Sequence, residues 1–110
     1  ELCEDFTKGA TIEYNQQKAL KDADFVYVKN WSSYTDYGKV LPVSDDWLLT
    51  SEKMAVSNTA KVMHCLPVRR NVELSDELLD GPGSLVLKQA ENRIYAAQTV
   101  IKKMLEHNFK

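Results

Sequence analysis

Residues 61–67 read Lys61-Val62-Met63-His64-Cys65-Leu66-Pro67, and this stretch decides the fold class of the chain. A short apolar run that stops at a proline is typical of a buried strand, because proline has no amide to donate to a ladder. A second run, Asp24-Phe25-Val26-Tyr27-Val28-Lys29, is rich in β-branched and aromatic residues and has the length of a parallel strand. The two runs predict neighbouring strands that end near Lys29 and Leu66.

Helical segments are predicted between and after these strands. Side chains that can cap helices precede three of them: Asn15 for a helix over about 16–21, Thr50 or Ser51 for a turn through 54–56, and Ser75 for a turn over 76–79. A β-prone run over 10–14 comes first, and a brief extended piece is expected over 84–87. The last helix is predicted from about Glu91 to His107, and its apolar stripe consists of Ile94, Ala97, Ile101, Met104 and Leu105.

Strands that alternate with helices indicate an α/β fold, here a partial parallel sheet flanked by helices and built from right-handed crossovers. In such sheets ligands bind at the carboxyl ends of the strands. Lys29, Cys65 and Leu66 all stand at predicted carboxyl ends, so we expect them to share one rim. The polar loop predicted over 31–44 follows the first strand, and loops of that length are usually functional or mobile.

Size and composition limit the possible roles of the chain. Its 110 residues make one domain at most, and 44% hydrophobic with 27% charged residues is ordinary for a globular protein. The formal charge of −2 argues against a nucleic-acid partner. No run approaches the roughly 20 apolar residues of a membrane helix and no secretory signal is seen, so a cytoplasmic protein with reduced Cys3 and Cys65 is expected.

His64 and Cys65 are the first candidates for chemistry. Neighbouring strand residues point to opposite sides, so at most one of the two should face a given side. The plain alternative is a half-buried, hydrogen-bonded histidine beside a small apolar core cysteine. No metal site is expected, because an adjacent His-Cys pair does not readily close a tetrahedral zinc site. A cis Leu66–Pro67 bond would turn the Leu66 carbonyl toward the rim. The plain alternative is that Pro67 only ends the strand.

Cationic side chains suggest that the rim handles an anion. Arg93 is predicted in the first turn of the last helix, where a cation is unfavourable to the helix dipole unless an anion binds there. The alternative is that Arg93 forms an ion pair with Glu91 or Asp80. Lys29 could hold a substrate carboxylate or reach solvent as a surface lysine. Arg69 and its neighbour Arg70 would ordinarily be solvated surface charges.

These residues together resemble a known family. The segments His64-Cys65-Leu66-Pro67, Ser75-Asp76-Glu77, Ser84-Leu85-Val86 and Glu91-Asn92-Arg93 resemble the carboxy-terminal half of the ornithine and aspartate carbamoyltransferases, and the likeness covers nearly the whole chain. The ornithine enzymes carry an Asp and a Ser-Met-Gly element after the first strand, where this chain has Lys29-Asn30-Trp31-Ser32. That departure resembles the N-acylornithine branch, and the N-succinylornithine enzymes most of all.

The resemblance implies a Rossmann-like second domain and a reaction. A carbamoyl group would pass from carbamoyl phosphate to the δ-amine of N-succinyl- or N-acetyl-L-ornithine in arginine biosynthesis, without a cofactor. His64 and Cys65 would be catalytic, Cys65, the Leu66 carbonyl and Arg93 would bind carbamoyl phosphate, and Lys29 and Arg69 would bind the carboxylates of the acylornithine. Acetyl-specific relatives carry a lysine where Glu73 stands here, so its absence favours the succinyl substrate.

The family's Ser-Thr-Arg-Thr phosphate loop is absent from the chain. Residues 1–110 are therefore expected to be the amino-acid-binding domain of a longer enzyme, a fragment that lacks the carbamoyl phosphate domain and is inactive alone. The whole enzyme is expected to be a homotrimer. Two alternatives stay open: an ornithine carbamoyltransferase with a divergent loop, and a non-catalytic α/β module that binds small anions.

Overall fold

The computed structural model of the chain describes residues 8–30, 35 and 47–108. The loop predicted over 31–44 lies outside the described residues except for Thr35, and Cys3 lies outside them as well. In chain order the elements are α1 (Gln16–Leu20), β1 (Phe25–Val28), α2 (Ser51–Met54), β2 (Lys61–His64), α3 (Asp76–Leu79) and α4 (Val86–Asn108).

The sheet is parallel, as predicted. β1 pairs with β2 in a register that sets Phe25 opposite Lys61 and Val28 opposite His64. On the other side of β2, the Val62 amide donates to the Gly83 carbonyl at 3.0 Å, and the Leu85 amide donates to the Val62 carbonyl at 2.8 Å. Helices connect and flank these strands, so the α/β class is confirmed.

Two of the predicted helix caps are present. The Asn15 side chain accepts a hydrogen bond from the Lys18 amide at 3.0 Å and so begins α1. The Thr50 hydroxyl accepts from the Lys53 amide at 3.3 Å and begins α2. These bonds satisfy amides that have no partner inside the first helical turn. Ser75 stands at the N-cap position of α3, but its side chain makes no capping bond.

The core lies around β2. Val62 and Leu74 are 1% and 0% exposed, and burying such a side chain contributes about 1.5–3 kcal/mol. Leu49 pairs with Leu74 in a parallel bridge, which ties the chain around 69–75 to the segment that precedes α2. The other buried apolar residues are Leu20, Val28, Met54, Ala60, Leu79 and Val86.

Three expectations about the elements were wrong in whole or in part. Residues 10–14 form no strand in the described part of the chain, and Ile12 and Tyr14 are largely exposed, so no neighbouring strand stabilises the run. The extended piece expected over 84–87 is present only at Ser84, which pairs with Val62 in a parallel bridge, because α4 already begins at the buried Val86. β2 ends at His64, two residues before the expected position at Leu66.

Helix α4 changes its surroundings along its length. Val86 is buried and Gln89 and Ala90 are partly buried, whereas every residue over 91–108 is exposed. The helix therefore packs on the sheet through its first turns only. Within the described residues, no helix combines the length and the apolar character needed to cross a bilayer.

Candidate functional site

The carboxyl ends of β1 and β2 form the predicted rim. The ammonium nitrogen of Lys29 lies 3.6 Å from the Cys65 Sγ. One residue after Lys29 and two residues after Cys65, the Asn30 side-chain amide donates to the Pro67 carbonyl at 3.1 Å. Because the strands are parallel and in register, these contacts tie the two chain segments together at one edge of the sheet.

A cavity of about 350 Å³ opens beside this rim, and Cys65, Leu66, Gln89, Ala90 and Arg93 line it. The segment directly after β2 supplies Cys65 and Leu66, and α4 supplies Gln89, Ala90 and Arg93. Three residues that the sequence assigned to carbamoyl phosphate therefore meet in one place. The part of the chain that the structure describes holds no group of three or more potential metal ligands.

The position of Arg93 differs from the prediction. Since α4 begins at Val86, Arg93 lies about two turns inside the helix. The helix dipole acts mainly within the first turn, so it does not indicate a bound anion at Arg93. The alternative, an ion pair of Arg93 with Glu91 or Asp80, is also wrong. Asp80 pairs with Arg70 at 2.7 Å, and Arg93 makes no ion pair within the described residues. The guanidinium is available to the cavity.

His64 is more deeply buried than expected, with 1% of its surface exposed. Its Nδ1 accepts a hydrogen bond from the Leu66 main-chain amide at 2.9 Å. Burial lowers the pKa of the imidazole, Glu73 opposes that shift and the Lys29 charge adds to it. His64 does not line the cavity that Cys65 and Arg93 share.

The turn after β2 has an unusual backbone. The Leu66–Pro67 peptide bond is cis, and Leu66 adopts a φ of 53°. Few residues other than glycine adopt a left-handed conformation, so local contacts must hold Leu66 there. The hydrogen bond to His64 is such a contact.

Arg69 is not a simple surface charge. Glu73 is fully buried, and its carboxylate accepts the Arg69 main-chain amide at 2.8 Å and the Arg69 Nε at 2.5 Å. A further ion pair joins Arg69 Nη2 to the same carboxylate. The guanidinium of Arg69 therefore neutralises an acidic group that would be costly to bury alone.

Arg70 belongs to an exposed network below the rim. It pairs with Asp76 and Asp80, and Asn71 donates to Asp76 at 2.8 Å. These hydrogen bonds hold the pKa values of both carboxyl groups below their ordinary range. The network anchors the turn to α3 and leaves Arg70 outside the cavity beside Cys65.

Lys29 also lines a second cavity, of about 450 Å³, on the α1 side of β1. Asn30 and Glu73 contribute to the same wall. Because its ammonium contacts Cys65, Lys29 stands between this cavity and the one that contains Arg93. A substrate with two parts could occupy both.

Sequence reasoning missed two residues of the first cavity, Gln89 and Ala90. Gln89 stands one helical turn before Arg93, so the i, i+4 spacing would have placed both on one face if the helix had been started at Val86. Its side-chain oxygen is buried and has no hydrogen-bond donor among the described residues.

Comparisons with known proteins identify the family of the chain. The family model described as aspartate/ornithine carbamoyltransferase, Asp/Orn binding domain, matches residues 2–104. The chain belongs to this family. As a carbamoyltransferase-family domain, it is 44% identical over 108 residues to an N-succinylornithine carbamoyltransferase of Bacteroides thetaiotaomicron, over 96% of this chain and 34% of that protein.

Two further relatives support the assignment to the carbamoyltransferase family. An ornithine carbamoyltransferase of Methanococcus maripaludis is 36% identical over 102 residues, which cover 88% of this chain and 34% of that protein. A solved structure of N-acetyl-L-ornithine transcarbamylase superposes with a TM-score of 0.73 at 27% identity, over 92% of this chain and 36% of that one. The chain thus spans about a third of the length of the relatives it matches.

Proposed function

We propose that the chain is the amino-acid-binding part of an enzyme that transfers the carbamoyl group of carbamoyl phosphate to the δ-amine of N-succinyl-L-ornithine, in arginine biosynthesis. The observation that carries this proposal is the meeting of Cys65, Leu66 and Arg93 in one cavity with Lys29 at its edge. It rests equally on membership of the carbamoyltransferase family.

The cavity offers what carbamoyl transfer needs. The amine attacks the carbamoyl carbon, the bond from that carbon to the phosphate oxygen breaks, and phosphate leaves with the bonding electron pair and takes up the proton that the amine loses. Arg93 would donate to the oxygens on which negative charge develops. The Leu66 carbonyl would accept from the carbamoyl amide, and Cys65 would contact the same group.

The acylornithine would bind on the Lys29 side. N-succinyl-L-ornithine carries two carboxylates, and Lys29 and Arg69 are the cations proposed to bind them, with the Arg69 guanidinium paired to Glu73 at the same time. The higher identity to the N-succinylornithine enzyme, 44% against 36% for the ornithine enzyme, supports the acylated substrate. Acetyl-specific relatives carry a lysine at the position of Glu73, and the absence of that lysine supports succinyl over acetyl.

The rest of the catalytic site would come from outside these 110 residues. The chain contains no Ser-Thr-Arg-Thr segment, the phosphate loop of the family. We therefore propose a further domain that binds carbamoyl phosphate, and assembly of the whole enzyme as a homotrimer in the cytoplasm.

An assay of the full-length protein tests the substrate. It is given carbamoyl phosphate with N-succinyl-L-ornithine, N-acetyl-L-ornithine or free ornithine, and the carbamoylated product is measured. We expect the succinyl derivative to give the highest kcat/KM. A higher kcat/KM with free ornithine would show that ornithine, and not its succinyl derivative, is the substrate. If none of the three amines gave a product, the non-catalytic anion-binding module would be favoured.

Arg93→Ala tests the cavity. Loss of hydrogen bonds to a charged ligand should raise the KM for carbamoyl phosphate by about 10- to 100-fold. Lys102→Ala is the matched control, because Lys102 is an exposed cation on the same helix. Equal effects of the two substitutions, or a collapse of thermal stability in Arg93→Ala with unchanged affinity, would contradict a binding role.

A further inference from the structure

His64 holds the turn that lines the cavity, although it does not touch the cavity itself. It is the last residue of β2, and its ring is 1% exposed. The Leu66 amide, two residues later, cannot join the β1–β2 ladder because that ladder ends at His64. It donates instead to the His64 Nδ1 at 2.9 Å.

This hydrogen bond fixes the protonation state of the ring. A nitrogen that accepts a hydrogen bond carries no proton, so the neutral imidazole has its proton on Nε2. Nε2 is buried and has no hydrogen-bond partner among the described residues. A charged imidazolium would have to place a proton on Nδ1, which would remove the acceptor from Leu66.

The constrained backbone lies beside the reacting groups. Leu66 holds a φ of 53°, a conformation that a leucine seldom adopts without support. Cys65 stands between His64 and Leu66, and Cys65 and Leu66 both line the cavity with Arg93. A change in the Leu66 conformation would therefore move its carbonyl and the thiol together.

We propose that His64 is a positioning residue: as the neutral ring with its proton on Nε2, it holds the Leu66 amide and so aims the Cys65 thiol and the Leu66 carbonyl into the cavity. This inference rests on the proposed carbamoyl transfer and assigns His64 a role through the main chain, with no contact to substrate. The His64 Nδ1 serves as the hydrogen-bond acceptor for the Leu66 amide.

A pair of matched substitutions in the full-length enzyme tests the role. In His64→Asn the side-chain oxygen can take the place of Nδ1, whereas in His64→Gln the carboxamide lies one bond further out, near the place of Nε2. We expect the Asn variant to keep the KM for carbamoyl phosphate within about threefold, and the Gln variant to raise it about tenfold or more. Melting temperatures show how far each ring replacement loosens the core.

Equal loss of affinity in the Asn and Gln variants, or no loss in either, would overturn the proposal. A second measurement needs no variant: residue-resolved hydrogen exchange of the full-length wild-type protein should show a protected Leu66 amide, although Leu66 lies outside every strand and helix. Exchange of Leu66 as fast as that of an unbonded loop amide would also overturn it. Wild-type transfer activity is read separately, so failure of the proposed function is distinguishable from failure of this inference.

Discussion

Glu73 places a carboxylate in a fully buried position, and Arg69 supplies three donors to it. Arg69→Ala would leave a buried charge without its cation, so we expect the free energy of unfolding to fall by about 3–5 kcal/mol. Urea denaturation measures the change. Arg70→Ala is the control, because its pairs with Asp76 and Asp80 are exposed and screened, and its effect should be much smaller. Similar losses in both variants would mean that the Glu73 carboxylate finds another donor.

His64 should make the stability of the protein depend on pH. Burial depresses its pKa below the ordinary value of 6.5, with Glu73 opposing and Lys29 assisting the shift. The unfolded chain then binds a proton that the folded chain does not, so this contribution is complete above pH 6.5 and is lost as the pH falls below it. Asp76 and Asp80 add a loss only in the more acidic range below 3.8.

The matched test for this residue uses the two histidines of the chain. His64→Asn should flatten the decline in unfolding free energy just below pH 6.5, while His107→Asn, on the exposed end of α4, should leave it unchanged. Chemical denaturation at a series of pH values gives both slopes. An unchanged slope in His64→Asn would show that the buried ring does not carry the pH dependence.

At the scale of elements, the junction between α3 and α4 depends on one close approach. A Cβ added at Gly81 would collide with the Glu77 carbonyl oxygen, whereas at Gly83 the nearest atom, the Ala60 carbonyl oxygen, would lie 3.8 Å away. Gly81→Ala should therefore lower the melting temperature, with a cost of about 1–3 kcal/mol from the forced backbone shift. Gly83→Ala should be nearly neutral. Comparable melting temperatures for the two variants would contradict the close approach.

Some elements could be predicted from the sequence and others could not. β1, β2 and α1 followed from local signals, namely apolar runs of strand length and the Asn15 cap. The start of α4 did not, because the β-branched Val86 favours a strand locally and only its burial in the core selects the helix. The rim of Lys29 and Cys65 was predictable from parallel strand ends. The Arg69–Glu73 pair was not, since it depends on a turn whose conformation is set by tertiary contacts.

For the whole molecule, the main feature is that the sheet is packed in a core whereas most of helix α4 is exposed. The radius of gyration is 17.0 Å, against about 13 Å for a compact domain of 100 residues, and the longest dimension is 54 Å. The apolar stripe on α4 was correctly placed on a helix, yet Ile94, Ile101 and Met104 are all more than half exposed. Apolar surface of this extent usually marks an interface. The further domain proposed above for carbamoyl phosphate is the partner we expect for this stripe.

Hydrogen exchange can test that partner directly. A helix exposed on all sides is only marginally stable in water, so the α4 amides over 95–108 should exchange quickly in the 110-residue chain. In the full-length protein, burial of the apolar stripe should slow them by at least about tenfold, because even 1.4 kcal/mol of added local stability has that effect. The amides of β2 should be protected in both forms, which verifies that the sheet is folded in each. Equal exchange of α4 in the two forms would show that the stripe stays uncovered and that the rest of the protein binds elsewhere.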